Sequence, residues 1–568
     1  MTHSFLYRSL RATGLTLLCV ALLACGGGGG GGGGSTDSGG SGYVPVSNPA
    51  DASRFLSQAS FGPSPADIAR VQTVGYAAWL QEQMAILPTN PHQTYIDGLG
   101  AAVTDFDQNP LFESFWRQVA TAPDPLRQRV AFALSQIFVI SMVDLVDRTP
   151  KVARGTASYL DMLGRNAFGN FRTLLEDVTR HPMMGLYLSH LRNQKEDTVS
   201  GRVPDENYAR EILQLFSIGL VELNLDGTPR LLGGNPIETY TNADIAGLAR
   251  VFTGWSWGGA DKTNNRFFGS TADPNRDVLP MQFYPSFHST SAKTFLGTTI
   301  PANTPADTTL RLALDRIFNH ANVGPFISKQ LIQRLVTSNP TPAYVARVAQ
   351  VFNNDGTGVR GNMRAVIAAI FLDSEARNAA NLSNNQFGRL RDPIQRMAHW
   401  MRSFGAASVS GRYQLWNTDN PANSLGQSPM RSPSVFNFYR PGYVPPSTEL
   451  ATASLVAPEL QITHETSVVG YINAMQGAIA NGTGQSREIA ANYSNELPLA
   501  SNPAALVDRM NLLLMGGQMS STLRSNIITA VTACVTPSCG STAALNQRNR
   551  VNIAILLTMA SPEYLVQK

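Results

Sequence analysis

Lysine is nearly missing from this chain: 568 residues hold six lysines against 38 arginines. Charge of either sign is scarce too, at 15% of residues, where about 25% is usual. What charge there is almost cancels. Arg8 and Arg11 lie in the first 24 residues, and residues 25–568 carry 42 basic and 40 acidic side chains. A near-neutral chain lacks the electrostatic footprint of a nucleic-acid binder, so neither DNA nor RNA is an expected partner. The arginine bias is read as genomic composition rather than as selection for anion binding. No fixed-period repeat occurs, which argues against solenoids and propellers. Disorder is excluded for the bulk of the chain, because 43% of residues are apolar, enough for a large core.

The N-terminus carries an address. Arg8 and Arg11 precede an apolar run from Leu15 through Leu23, and a small residue, Ala24, follows. A basic start, a short apolar stretch and a small residue before a cut make a secretory signal over residues 1–24. The run is too short to remain as an anchor, since a bilayer-spanning helix needs ~20 apolar residues. Leu22-Leu23-Ala24-Cys25 resembles the lipobox of bacterial lipoproteins, which implies cleavage before Cys25 and lipidation of that residue. Several acyl chains hold a soluble domain on a membrane where one holds it only weakly. Residues 25–48, with nine consecutive glycines from Gly26 to Gly34, read as a flexible tether. Gly26 rather than Asp after the cysteine resembles the sorting pattern for the outer membrane, so the protein is expected as an exported outer-membrane lipoprotein, facing the periplasm or the cell surface. Of the remaining cysteines, Cys19 leaves with the signal. Cys534 and Cys539 are expected to form a local disulfide outside the cytoplasm.

After the tether, helix signals recur almost to the end. Ser64-Pro65-Ala66-Asp67 supplies an N-cap, a proline at the first helical position and an acid in the first turn, with Gly75 as the stop. Helices are predicted from Asp124-Pro125 through Ser141, from Asp205 to Gly219 and from Thr241 to about Thr253. Others follow at about 305–318, 322–336, 341–353, 361–372 and 392–404. Val551, Ile553, Ala554, Leu556, Leu557 and Met559 read as a final buried helix. Two stretches break the pattern. Residues 255–300 are rich in Gly, Asn, Phe and Tyr, and Met281–His288 and Lys293–Gly297 read as two strands joined by Ser289–Ala292. Residues 405–456 are a Pro- and Ser-rich loop. The expected fold is mainly α: one large multi-helix domain over 49–568, with a small β-hairpin and loop excursion.

Several short patterns fail on context. Gly254-Trp-Ser256-Trp-Gly258 fits the nucleophile-elbow pattern, but follows a helix and opens a loop. Gly356-Thr-Gly358-Val-Arg-Gly361 lies between helices with no preceding strand, and the twelfth position of the overlapping calcium-loop pattern is Arg364. His464-Glu465 lacks a histidine at 468. No metal site is predicted and no cofactor is assigned.

The constellation that remains is Pro204-Asp205-Glu206-Asn207-Tyr208-Ala209-Arg210-Glu211. Glu206 and Arg210 are four apart and can pair, as can Asn207 and Glu211 on an adjacent stripe. Glu211 sits among Tyr208, Ile212, Leu215 and Phe216, so its carboxylate is expected to be partly desolvated and to need a partner. Asp244, His288 and Lys293 are expected to join this group. On the catalytic reading Glu211 is a general base or metal ligand, His288 shuttles protons, Glu206 belongs to the same site, Arg210 binds an anionic group, and Asn207, Asp244 and Lys293 bind. On the binding reading the same charges lock the core. Residues 255–300 and 405–456 then form a contact surface, with Trp255, Trp257, Phe436, Phe438 and Tyr439 serving core or interface.

At these residues the chain resembles a large bacterial family known as domain of unknown function 1800. The resemblance runs from Arg54-Phe-Leu-Ser-Gln-Ala-Ser-Phe61-Gly62 through Glu206-Asn207-Tyr-Ala-Arg210-Glu211, Tyr240-Thr-Asn-Ala-Asp244, Thr253-Gly254-Trp255 and Lys293-Thr-Phe-Leu-Gly297. It closes with Ser434-Val-Phe-Asn-Phe-Tyr-Arg440-Pro-Gly442 and Pro458-Glu459-Leu-Gln461. In the fuller family pattern an Asp follows the histidine, where this chain has Ser289. The resemblance implies a secreted protein, often beside a sulfatase-like partner family, and brings no activity with it. The reading is therefore a lipid-anchored envelope protein that binds or assembles with an envelope partner, the alternative being a hydrolase-like enzyme with its site at the Glu206–Glu211 helix and His288.

Overall fold

Capping chemistry sets where the helices start. In the computed structural model, which describes residues 46–568, the Ser64 hydroxyl accepts from the Asp67 amide at 3.1 Å while the Asp67 carboxylate accepts from the Ser64 amide at 3.3 Å. Pro65 opens a helical stretch that runs to Ala85, interrupted at Gly75, whose φ of 78° is not helical. The predicted stop is thus a break, after which the chain turns helical again at once. The segment expected as a signal, Cys25 and the glycine run lie outside the described residues.

The predicted helices recur with small shifts of boundary: Asn242–Ala249, Ala306–Phe318, Val323–Leu335, Pro342–Asn353, Met363–Leu372 and Pro393–Ser403. Two predicted elements end early. The helix opened by Pro125 stops at Ser135 rather than Ser141, and Asn207–Gln214 stops five residues before Gly219. The last long helix, Ala543–Ala560, buries Val551, Ala554, Ile555 and Met559 and leaves Leu557 38% exposed, so its apolar stripe turns one residue from the expected register.

Among the described residues the strands form two-stranded pairs. Gln282–Phe283 pairs with Trp255–Ser256, and Lys293–Phe295 makes its own hairpin with Thr298–Ile300. The two segments expected to pair with each other therefore belong to different hairpins. The second hairpin lies on Asn242–Ala249, where a Cβ on Gly247 would stand 1.8 Å from the Thr294 carbonyl oxygen, so only glycine permits the approach. Residues 405–456 are loop apart from Ala407–Ser408 and Glu449–Thr452.

Three contacts position the centre of the molecule. Val323–Leu335 packs on Pro342–Asn353 and on Pro125–Ser135, and Pro393–Ser403 packs on Asn109–Thr121. The C-terminal Val566–Gln567 pairs antiparallel with Arg389–Leu390, and Gln567 donates to the Leu335 carbonyl at 2.9 Å. These ties bring Arg389, Asp392 and the end of the Val323–Leu335 helix together in one continuous apolar core. Cys534 and Cys539 form a disulfide. Among the described residues no helix is long and apolar enough to cross a membrane.

Candidate functional site

Asp205 rather than Glu206 caps the helix Asn207–Gln214: its Oδ1 accepts from the Asn207 amide at 2.8 Å, and the Ser189 hydroxyl donates to its Oδ2 at 2.9 Å. Glu206 and Arg210 pair at 3.6 Å with both side chains 42% exposed, a contact that contributes little in water. The Asn207 amide reaches the Ser189 hydroxyl at 3.5 Å and makes no bond to Glu211. Glu211 is buried, and its Oε2 has no hydrogen-bond partner. Burial raises its proton affinity, against the opposing pull of the Arg210 charge.

His288 and Lys293 form a separate group. His288 Nδ1 donates to the Thr253 carbonyl at 2.8 Å, while its Nε2 is buried and unpartnered. Burial lowers its basicity, partly offset by that carbonyl. Lys293 is fully buried, donating to the carbonyls of Ser289 and Ser291 at 2.8 and 3.0 Å. Burial lowers its basicity too, and Glu196 works in the opposite direction. Glu196, which the sequence reading passed over, accepts from the Ser289 hydroxyl at 2.9 Å and from that of Ser291. Neither His288 nor Lys293 hydrogen-bonds Glu211. Asp244 completes a capping box with Thr241 and accepts from the Leu296 amide at 2.7 Å, so it fastens the second hairpin to its helix. Ser256 donates to the Phe267 carbonyl at 2.6 Å from a buried strand. Among the described residues no group of three or more His, Cys, Asp or Glu side chains is arranged to hold a metal ion.

A cavity lies apart from both groups. A space of about 580 Å³ opens where the end of the Asn207–Gln214 helix meets Val323–Leu335 and the Ser434–Gly442 segment. Ile137, Leu215, Leu220, Phe326, Phe436 and Pro441 provide apolar wall, and Gln136, Gln214, Gln330, Gln333 and Asn339 provide amides. Among the described residues its charged lining is Lys329, Arg334 and Arg440, with no His, Cys, Asp or Glu, and Glu211 is not part of it.

Behind Arg334 lies a buried polar network. Arg334 donates to the carbonyls of Gln330 and Gln136, both at 3.1 Å, and its own carbonyl accepts from Arg129. Gln136 donates to Tyr439 at 3.1 Å and to Asp392 at 3.3 Å, and the Tyr439 hydroxyl donates to Asp392. Arg389 joins Asp392 at 3.2 Å and Glu459 at 2.6 Å. Burial lowers Arg334 to about 10, and burial with repulsion from Arg389 lowers Arg129 to about 9. Burial also works against the Arg389 charge, yet Glu459 and Asp392 outweigh it and hold its proton more firmly than usual. Sequence reasoning had Arg440 and Glu459 only inside blocks of family resemblance, and Tyr439 there and among the aromatics weighed for core or interface. The signal that marks the place is two short segments without helical period, 434–442 and 458–461, whose partners lie far upstream: Asp392 and Gln136 are 47 and 303 residues before Tyr439, and Arg389 is 70 before Glu459. Of the aromatics weighed for core or interface, Trp255, Trp257 and Tyr439 are core.

The chain belongs to the family described as protein of unknown function DUF1800, whose model matches residues 54–566. No curated protein and no solved structure matches the chain.

Proposed function

We propose that this DUF1800 member is an exported, lipid-tethered envelope protein that works by binding, with the cavity between Leu220, Phe326 and Phe436 as its ligand site. The observation that carries the reading is the lining: about 580 Å³ of mixed apolar and amide surface without a carboxylate, imidazole or thiol. Concave sites with an apolar wall and a few placed polar groups are what small-molecule sites look like. General acid–base work needs a titrating group within hydrogen-bond reach of the reacting atom, and the candidates for that role, Glu211 and His288, are outside the lining. Export and tethering rest on Leu22-Leu23-Ala24-Cys25 and the glycine run that follows. A partner in the envelope fits this picture as the source or the receiver of the ligand.

Glu211 favours one second reading. A buried carboxyl with a free oxygen and raised proton affinity is a group poised to give up a proton, so a hydrolase-like site there is the alternative.

The test of the binding reading is titration of the purified chain with the neutral fluorophore N-phenyl-1-naphthylamine. Saturation at one probe per chain, lost when Val456→Trp fills the cavity, supports it. No saturable binding of this or any charged probe, or binding unchanged by Val456→Trp, overturns it.

A further inference from the structure

Every charged side chain that lines the cavity is a cation: Lys329, Arg334 and Arg440. Among the described residues none of the three has a carboxylate within ion-pair distance, although the charge of Asp226 acts on Lys329 from farther off, in a chain where arginines and carboxylates pair in many places. Arg440 instead lies over the Phe436 ring at 4.7 Å, which holds its charge beside the apolar wall. Arg334 is 7% exposed, its Nε is buried without a partner, and its bonded donors reach only main-chain carbonyls. Gln136, which also lines the cavity, likewise keeps a buried amide oxygen unpartnered.

The carboxylates nearest Arg334 are already engaged. Asp392 and Glu459 are bound by Arg389, and Asp392 also accepts from Tyr439 and Gln136. Three guanidiniums, Arg129, Arg334 and Arg389, therefore stand against two carboxylates in a region closed to water. A buried charge without a partner is costly. Arg334, part of that surplus, also lines the cavity.

We propose, resting on the binding reading above, that the cavity takes an amphiphilic organic anion, its acid group held by Lys329, Arg334 and Arg440 and its apolar body against Phe326, Phe436 and Leu220. Carboxylate, phosphate and sulfonate heads share the required chemistry, because each offers acceptor oxygens to N–H donors and a negative charge to the surplus. Inorganic anions lack the apolar body and fit only half of the site.

Two fluorophores of the same ring skeleton decide this on the full mature chain. 1-Anilinonaphthalene-8-sulfonate carries a sulfonate; N-phenyl-1-naphthylamine does not. The sulfonate is expected to bind one per chain and at least tenfold more tightly than the neutral probe. Lys329→Gln with Arg440→Gln, both at the exposed rim, is expected to weaken the sulfonate at least tenfold and the neutral probe less than twofold. Arg334→Gln is expected to do the same if it folds; the rim pair decides if it does not. Inorganic phosphate at millimolar level is expected to displace the sulfonate only weakly, whereas strong displacement would mean that a free inorganic anion is the ligand and would overturn the amphiphilic class. Equal affinity for both probes, unchanged in the rim variant, overturns the anionic class while the cavity remains a binding site. Failure of both probes overturns the binding reading itself.

Discussion

Arg389 reaches across 70 residues of sequence to donate from Nη2 to Glu459 Oε1 at 2.6 Å, with 0% and 2% of the two side chains exposed. The pair is held on both sides: Nη1 of Arg389 donates to Gln395 at 2.6 Å, and Asp392 receives Nη2 at 3.2 Å. A pair this deep gains little over an apolar replacement, but losing Glu459 leaves the buried Arg389 charge with Asp392 as its remaining carboxylate partner, away from water.

Glu459→Ala is therefore expected to cost about 3–5 kcal/mol in unfolding free energy. A urea or guanidinium midpoint compared with wild type measures it. A loss below about 1 kcal/mol would mean that solvent reaches Arg389, and the buried network would no longer describe the molecule.

Asp244 carries a different kind of stabilisation. Its carboxylate closes the capping box with Thr241 and accepts from Leu296. Although burial works the other way, these bonds hold its pKa below the ordinary value. Asp244→Ala is expected to cost about 1–2 kcal/mol at neutral pH, the range for a lost cap. Because the folded pKa is depressed, this contribution is present above the ordinary carboxylate value and fades as pH falls through the folded one. Wild type and Asp244→Ala should converge on acidification; a gap that stays constant down to pH 2 would contradict the assignment.

The fold was largely legible because its helices announce themselves locally. Ser64 with Asp67, Thr241 with Asp244 and Pro393 after Asp392 are cap signals that need no knowledge of the rest of the chain. Strand partners were not legible: Gln282–Phe283 has few residues with which to specify a register, and its partner Trp255–Ser256 precedes it by a long loop. The cavity was the least legible feature. Polarity clustered along one helix drew attention to Glu206–Glu211, whereas Gln136, Lys329, Arg334 and Arg440 meet only through tertiary packing. Arginine frequency carried no information there; a lining that holds three cations and, among the described residues, no carboxylate did, and that is visible only in the folded chain.

Cys25 tests the address independently of the fold. In a bacterial host that processes lipoproteins, the full chain is expected to incorporate labelled palmitate and to sediment with membranes. Cys25→Ser should lose the label and move to the soluble fraction with the same unfolding midpoint. Label retained by the Ser variant would place the acyl group elsewhere and remove the tether argument.

Glu211 gives the sharpest test of whether the Asn207–Gln214 helix buries a proton. Burial raises its pKa above the ordinary 4.5, with Arg210 opposing. A raised folded pKa means that the protonated form is the one the fold prefers, so its stabilisation is complete below the unfolded value and is lost as pH climbs through the folded one. Glu211→Gln imitates the protonated group at every pH. The variant should match wild type near pH 4 and become the more stable of the two as pH rises, with the difference levelling off once wild-type Glu211 is ionised. Unfolding midpoints between pH 4 and 8 trace that curve, which starts to rise at the unfolded pKa and levels off at the folded one. A variant that is less stable than wild type above pH 6 would mean that the fold holds Glu211 ionised by a partner, and the buried acid invoked for a hydrolase-like site would not exist.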